Sequence, residues 1–288
     1  MAESIETGAV TMRTMNRGDI PLGMRLKSIA GWNQVEADWE MLLDAGGKNY
    51  VASLEGRDVG TVTTVPFSSR FTWIGMLLVD PAARRKGIGT ALLNRAIQAC
   101  STYGQARLDA TADGFALYQR TGFRREYELL RLVRTAAPWK EKNTRSCKPV
   151  SHSQWSAVPG YDAPAFGADR RYILDSLYER NPEYAMAYTE DQAIQGYCLG
   201  RSGSRYQQIG PVVADKEEIA RELITGVLKR CALSDVVVDA FSDKPGWIRF
   251  LEEIGFIRQR NFIRMCLGEL KYPGITNSQY AIAGPEIG

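Results

Sequence analysis

An internal echo constrains this chain more than any other feature. Ile74-Gly75 recurs as Ile209-Gly210, Asp109-Ala110 as Asp239-Ala240, and Gly122-Phe123 as Gly255-Phe256, at offsets of 135, 130 and 133 residues. Each marker stands in the same order of expected strands and helices, so the three together imply two copies of one fold rather than chance dipeptides. The length of 288 residues agrees with two units, because single cores usually organise roughly 100 to 150 residues.

The first copy reads as a weak strand at 10–15, helical spacing over 19–31, and a second helix from an Asn33 cap with Glu36 three positions on, the pattern of a capping box. Strands follow at 49–54, 59–65 and 73–79, the first two joined by the hairpin signal Glu55-Gly56-Arg57-Asp58. A helix runs through Leu92, Leu93, Ala96 and Ile97, then a strand at 106–110, a short helix at 115–119 and a strand at 127–133. The expected organisation is a flexible tail at 1–9, a first domain at 10–134, a Pro- and Ser-containing linker at 135–164, a second domain at 165–270 and a C-terminal tail at 271–288. The fold class is α/β (α+β), each copy a mixed, mostly antiparallel sheet flanked by helices.

Composition narrows the function by exclusion. Thirty-six basic against 33 acidic side chains leave a net +3, too small a surplus to make nucleic acid or an anionic membrane an obligatory partner. Arg124, Arg125, Arg131 and Arg134 could form a basic strand face, yet solvated arginines on a strand are commonplace. The five cysteines are odd in number and lie far apart, so they frame neither a disulfide scaffold nor a paired-thiol zinc site. His152 is the sole histidine and sits in the Ser/Pro-containing stretch, which leaves no two-histidine metal face and only a thin basis for a Ser-His-acid hydrolase. No metal is expected. With no apolar run near the roughly 20 residues of a membrane span and no cationic start at Met1 to Val10, a cytoplasmic location is expected.

The stretch Leu77 to Leu93 carries the chemistry. A strand gives way to Asp80, Pro81, Ala82, Ala83, Arg84, Arg85, Lys86, Gly87, Ile88, Gly89 and Thr90, and then to a helix. Glycines remove Cβ atoms that would hold a phosphate off the backbone, and first-turn N–H groups with the helix dipole favour an anion. A basic turn that merely caps a helix has the same composition. The pattern is no Walker loop, lacking Gly-Lys-Ser/Thr, and no dinucleotide fingerprint, lacking a third glycine.

Val79-x-Pro81-x-x-Arg84-x-x-Gly87-x-Gly89 ahead of an amphipathic helix resembles motif A of the GNAT superfamily of N-acetyltransferases, and Tyr118-x-x-x-Gly122-Phe123 resembles its motif B. Ala30-Gly31-Trp32-Asn33 with Asp38 and Trp39, and the late Arg264-Met265, are similar to a tandem subgroup in which a degenerate GNAT-like domain follows the catalytic one. The resemblance implies an acetyl-CoA site. Leu77, Leu78 and Val79 would pair with the pantetheine arm through main chain, and Arg84, Arg85, Lys86, Gly87, Ile88, Gly89 and Thr90 would hold the pyrophosphate. Strands flanking the loop would splay around the thioester, whose carbonyl a strand N–H would polarise. Tyr118 would protonate the departing thiolate, although an aromatic there can equally be core.

The general base is open. Many GNAT enzymes carry a carboxylate or histidine on the strand before the loop, but 71–79 contains no ionisable residue. Asp109 is one candidate, and a water chain is another. Asp38 could attract a cationic amine, and Trp32 and Asn33 could contact the acceptor; Trp39, Trp73, Trp155 and Trp247 could also line a pocket, though tryptophan is usually spent on packing. The expected activity is direct transfer of acetyl from acetyl-CoA to a primary amine, of a small molecule if the second copy covers the site. The alternative is a non-catalytic acyl-CoA sensor.

The second copy lacks the cradle. After Ile209 and Gly210 it reads Pro211, Val212, Val213, Ala214, Asp215, Lys216, Glu217, Glu218, with acid at the helix start, and Leu251 falls where Tyr118 stood. Carboxylates suit a helix N-terminus and repel a pyrophosphate.

Overall fold

The computed structural model describes residues 10–100, 104–137, 147–191, 193–231 and 233–288. The tail expected at 1–9 lies outside them. In chain order the elements are β1 (Val10–Thr14), α1 (Ile20–Ile29), α2 (Glu36–Asp44), β2 (Tyr50–Leu54), β3 (Arg57–Phe67), β4 (Phe71–Val79), α3 (Ile88–Cys100), β5 (Ala106–Ala110), α4 (Ala112–Arg120) and β6 (Arg124–Arg134). The second half has β7 (Cys147–Pro149), α5 (His152–Trp155), α6 (Val158–Phe166), α7 (Arg171–Arg180), β8 (Met186–Glu190), β9 (Ala193–Ser202), β10 (Gln207–Ala214), α8 (Glu217–Leu228), β11 (Val236–Phe241), α9 (Pro245–Glu253), β12 (Ile257–Leu267) and β13 (Gln279–Ala281).

Local chemistry sets several of these boundaries. The β2–β3 hairpin turns on two residues, Glu55 at φ 52° and Gly56 at φ 76°, a pair of left-handed positions that matches the twist of the flanking strands. Helix α1 begins with proline in its first turn and packs Gly23 so tightly on Trp39 that a Cβ would lie 2.7 Å from the indole. Helix α3 buries Ile88, Leu92, Leu93, Ala96 and Cys100 on one face, the spacing of an amphipathic helix on a sheet.

The two halves are one sheet. Its order is β1-β2-β3-β4-β5-β12-β6-β11-β13-β10-β9-β8-β7, so β12 of the second half lies between β5 and β6 of the first, and β6 lies between β12 and β11. The closing strands are therefore exchanged. Met265 of β12 packs in the first half's core around Leu92, Leu93 and Leu108, while Leu130 and Leu132 of β6 join the second half's core around Leu223, Val227 and Val238. Two bidentate ion pairs cross the seam: Arg264 grips Asp109 at 2.8 Å through both nitrogens, and Arg131 grips Asp239 at 2.7 Å. All four residues are buried or nearly so.

The expected linker and C-terminal tail carry regular, buried structure in their described residues. Residues 147–164 of the expected linker hold β7, α5 and most of α6, with Val158 fully buried; the rest of that stretch up to 146 is described only as far as Ala137. The expected tail at 271–288 supplies β13 and the buried residues Tyr280, Ala281, Ile282, Ala283 and Ile287. Neither segment has enough regular apolar spacing to announce itself, because each is buried by neighbours distant in sequence. Among the described residues, no helix is long and apolar enough to cross a membrane.

Candidate active site

Strands β4 and β5 run parallel and pair only at Thr72–Ala106 and Trp73–Arg107. Beyond Trp73 they part, which is the splay expected around the loop. On its other side β4 carries a bulge: Thr61 pairs with Leu78 but Thr63 with Gly75, so β4 has one residue more than β3. Met76 absorbs the irregularity at φ 48°, and the Thr61 hydroxyl donates to the Met76 carbonyl at 2.9 Å. A left-handed non-glycine residue costs on the order of 1–3 kcal/mol and is characteristic of sites where main chain must be re-aimed.

The splay opens into a cleft of about 620 Å³. Leu77, Leu78 and Val79 line one end with Arg84, Arg85, Gly87, Ile88, Gly89 and Thr90, and Tyr118 closes the other. Arg85 at φ 63° and Gly87 at φ 78° turn the chain into α3. The first helical bond is donated by Ala91 to the Gly87 carbonyl at 2.9 Å, and the N–H groups from Arg85 to Thr90 have no acceptor among the described residues. A Cβ at Gly87 would meet no protein atom within 4 Å, and one at Gly89 only side-chain carbons at 3.7 Å or more. The loop thus presents bare amides and space, and its residues fit a pyrophosphate. Lys86 departs from expectation: it faces a separate hollow with Arg25, Asp58 and Asp80. Arg84 folds back so that its Nε donates to the Val79 carbonyl at 3.3 Å.

Tyr118 stands on α4, which Thr111 caps by accepting from the Gly114 N–H at 3.4 Å. Its ring is fixed by an edge contact with Phe123 at 5.9 Å and by Gly114, where a Cβ would come within 2.8 Å of it. Burial pushes the phenol above its ordinary value. It is therefore protonated at neutral pH, and it makes no hydrogen bond among the described residues.

Asp109 reaches the cleft but is not a free base. Both of its oxygens accept from Arg264, which also donates to the Tyr127 hydroxyl at 2.8 Å and lies 4.5 Å from the Trp73 ring centre. Burial acts to raise the Asp109 carboxyl and Arg264 acts against it; the same pair holds the guanidinium above its usual range. A charged arginine bonded to both oxygens makes this an ion pair.

The expected acceptor residues divide. Trp32 lines the cleft. Asn33 lines a smaller pocket beside it and also docks the halves, accepting from the Arg205 and Tyr206 N–H groups at 3.0 Å and donating to the Tyr206 carbonyl at 3.2 Å. The α2 cap is therefore Val35, whose N–H donates to Asp38 at 2.9 Å. Asp38 is fully buried and accepts from Arg180 at 2.9 Å and Arg201 at 3.4 Å, so it cannot serve an incoming amine. Trp39, Trp73 and Trp247 are core, and Trp155 stacks on Tyr178. Of the arginines considered as a basic face, Arg131 is committed to Asp239.

Beside the cleft lies a smaller enclosed pocket of about 40 Å³, sharing Trp32, Leu77, Asp109, Thr111, Tyr118 and Arg260 with it. Gln34, Met76, Phe262 and Glu286 complete its character. Sequence reading passed over Gln34, Arg260 and Glu286, because nothing local distinguishes them and two come from the far half. No cluster of metal-ligating side chains occurs among the described residues.

Known proteins share this fold. Two family models, each described as an acetyltransferase (GNAT) domain, match residues 45–125 and 158–281. The chain is 26% identical over 208 residues to an uncharacterized N-acetyltransferase, YitH, of Bacillus subtilis (strain 168), covering 70% of this chain and 72% of that protein. It is 23% identical over 245 residues to a holothin acyltransferase of Pseudoalteromonas sp. (strain SANK 73390), covering 83% and 81%. A putative acetyltransferase from Pyrococcus horikoshii superimposes with a TM-score of 0.81 at 22% identity, covering 100% of this chain and 99% of that one. A tandem GNAT protein from the clavulanic acid biosynthesis pathway gives 0.62 at 14%, covering 90% and 98%. The chain belongs to the GNAT acetyltransferases and carries two such domains in tandem.

Proposed function

We propose that the protein transfers the acetyl group of acetyl-CoA to the primary amine of a small molecule, by direct attack and in the cytoplasm. The observation that carries this reading is one continuous cleft with unpaired loop amides at one end and the β4 bulge with Tyr118 at the other. Acetyl-CoA supplies the activated thioester. The amides of Arg85 to Thr90, with Arg84 and Arg85 nearby, would hold its pyrophosphate. The β4 edge freed from β5 beyond Trp73 would pair with the pantetheine arm, and main chain at the bulge would polarise the thioester carbonyl.

In the transfer, the amine nitrogen bonds to the thioester carbon, the C–S bond breaks, and the sulfur takes its proton from the Tyr118 hydroxyl. The acceptor attacks as its free amine, and the extra proton on its nitrogen leaves through water, which also returns a proton to the Tyr118 phenolate, since β4 has no ionisable side chain and Asp109 is bound by Arg264. The second half covers the acceptor side through Arg260, Phe262 and Glu286, which favours a small amine over a lysine on a protein surface. The five cysteines are free and buried, in keeping with a reducing compartment.

Calorimetry with acetyl-CoA, followed by thiol release across an amine panel, tests the proposal. Coenzyme uptake and amine-dependent thiol release are expected. No uptake, or uptake without transfer to any amine, overturns it.

A further inference from the structure

Gln34, Glu286 and Arg260 line the smaller pocket, and each has one buried side-chain atom that the protein leaves unpaired: Gln34 Oε1, Glu286 Oε2 and Arg260 Nε. Each is buried, and such atoms cost about 1–3 kcal/mol apiece, more when charged, unless something binds them. Glu286 is 3% exposed; its other oxygen accepts from Arg201, which leaves Oε2 free. Its backbone is pressed against β4, for a Cβ at Gly75 would stand 2.8 Å from the Glu286 carbonyl oxygen. That contact fixes the carboxylate beside the bulge. The Trp73 indole N–H adds a bond to the Pro285 carbonyl at 3.0 Å.

Arg260 is the opposite charge in the same pocket. It packs 5.0 Å from the Phe262 ring centre and has no hydrogen bond or ion pair among the described residues. Burial and the neighbouring Arg131 lower its pKa to about 10, so it remains protonated at neutral pH. The other charges in the lining cancel internally, Asp109 with Arg264 and Arg131 with Asp239.

Resting on the acetyltransferase reading above, we infer that the acceptor is a small amine that also bears a carboxylate, Glu286 and Gln34 receiving its ammonium group and Arg260 its anion. Two acceptor oxygens, one of them anionic, suit an N–H-rich cation, and a lone guanidinium suits a carboxylate. The pocket volume of about 40 Å³ accommodates only a few heavy atoms, since one water occupies roughly 10–15 Å³ on this measure. That is roughly three or four water-sized spaces, so an acceptor of amino-acid size also extends into the adjoining cleft, with which the pocket shares lining residues. Glu286 and Arg260 both belong to the second half, so specificity for this reaction is built by the domain that lacks the coenzyme loop.

The test is a matched panel in which each amino acid is offered beside its decarboxylated amine, its methyl ester and an aminophosphonate of equal length. Thiol release is recorded for the wild-type protein and for E286Q, R260M and R260K, and the acetyl-CoA dissociation constant is measured for each. Preference for the free carboxylate over the ester and the bare amine is expected. Losing a buried charge partner should raise the acceptor KM about 30-fold in E286Q, with acetyl-CoA affinity unchanged. R260M should abolish the carboxylate preference and R260K partly restore it, because lysine keeps the charge but not the planar fork.

Equal use of bare monoamines, or acceptor KM values within twofold in both variants, overturns the inference and leaves the acetyltransferase reading intact. Preference for the aminophosphonate moves the anion from carboxylate to phosphoryl and overturns the stated class. Weaker acetyl-CoA binding in R260M would assign that arginine to the donor and likewise overturn it. If E286Q is unstable, R260M alone decides. Loss of acetyl-CoA uptake by the wild-type protein is a different result and defeats the function itself.

Discussion

The two strand-to-helix junctions started from one plan and now do opposite things. In the first half, β4 parts from β5 and the gap stays open, lined by the loop from Ala83 to Thr90 with Lys86 turned away. In the second, β10 pairs with β11 at Gln207–Val236, Gln208–Val237 and Ile209–Val238 and then parts from it in the same way. There, β13 fills the gap, pairing with Val212 and Val213 of β10 and with Ala240 of β11. Gly210 lies so close that a Cβ would be 1.9 Å from the Ile282 carbonyl oxygen, and the Trp247 indole donates to the Tyr280 carbonyl at 2.9 Å. Having plugged one opening, the same segment runs on to place Glu286 at the other. One segment therefore both fills the gap in the second half and lines the smaller pocket of the first.

Breaking the seam should give the largest effect. R264M strands the Asp109 carboxylate in the core, and denaturant unfolding should show a loss of about 3–5 kcal/mol. R131M should cost a similar amount by exposing Asp239 to the same fate; a loss below about 1 kcal/mol in either would mean that strand exchange does not depend on these pairs. Chemistry comes next. Y118F should lower kcat about 100-fold with acetyl-CoA affinity unchanged, whereas L251M, at the corresponding buried position, should leave kcat alone and cost under about 1.5 kcal/mol. Turnover retained in Y118F would return that ring to packing. A smaller effect is expected of G87V, where a β-branched residue at φ 78° pays about 1–3 kcal/mol. Calorimetry should read roughly a tenfold loss of acetyl-CoA affinity, and an unaltered value would remove the loop from the coenzyme site.

Legibility in the sequence followed the range of the interactions. The loop and Tyr118 could be read because glycines, cations and a helix start are local signals, and their placement needs only a strand before and a helix after. Strand exchange could not be read, since the alternation in 124–134 or 257–267 is the same whichever neighbour covers it. Asp38 looked like a site residue because it follows Trp32 in an accessible-looking stretch, but it is consumed by Arg180, 142 positions away, whereas Asn33, bonded to Tyr206, still lines the smaller pocket. Glu286 sat in a segment with no periodicity at all. What sets it apart is an oxygen left over after Arg201 is served, and no pattern in one dimension records that.

The gentlest change sharpens the comparison most. Glu217 and Glu218 occupy the first turn of α8, where the corresponding loop of the first half offers bare amides, and Glu217 is paired with Arg221 one turn on. If acid alone closed the second site, E217A/E218A would reopen it. The geometry says otherwise, because β13 remains between β10 and β11 and the helix begins directly after Lys216, with Ala220 donating to the Lys216 carbonyl at 3.2 Å. Each glutamate contributes about 0.3–1 kcal/mol through the helix dipole, and the half-exposed Glu217–Arg221 pair about 0.3–0.5 kcal/mol. The double variant should therefore melt only slightly earlier and still bind one equivalent of acetyl-CoA. A second equivalent in calorimetry would show that charge, and not the inserted strand, silenced this half.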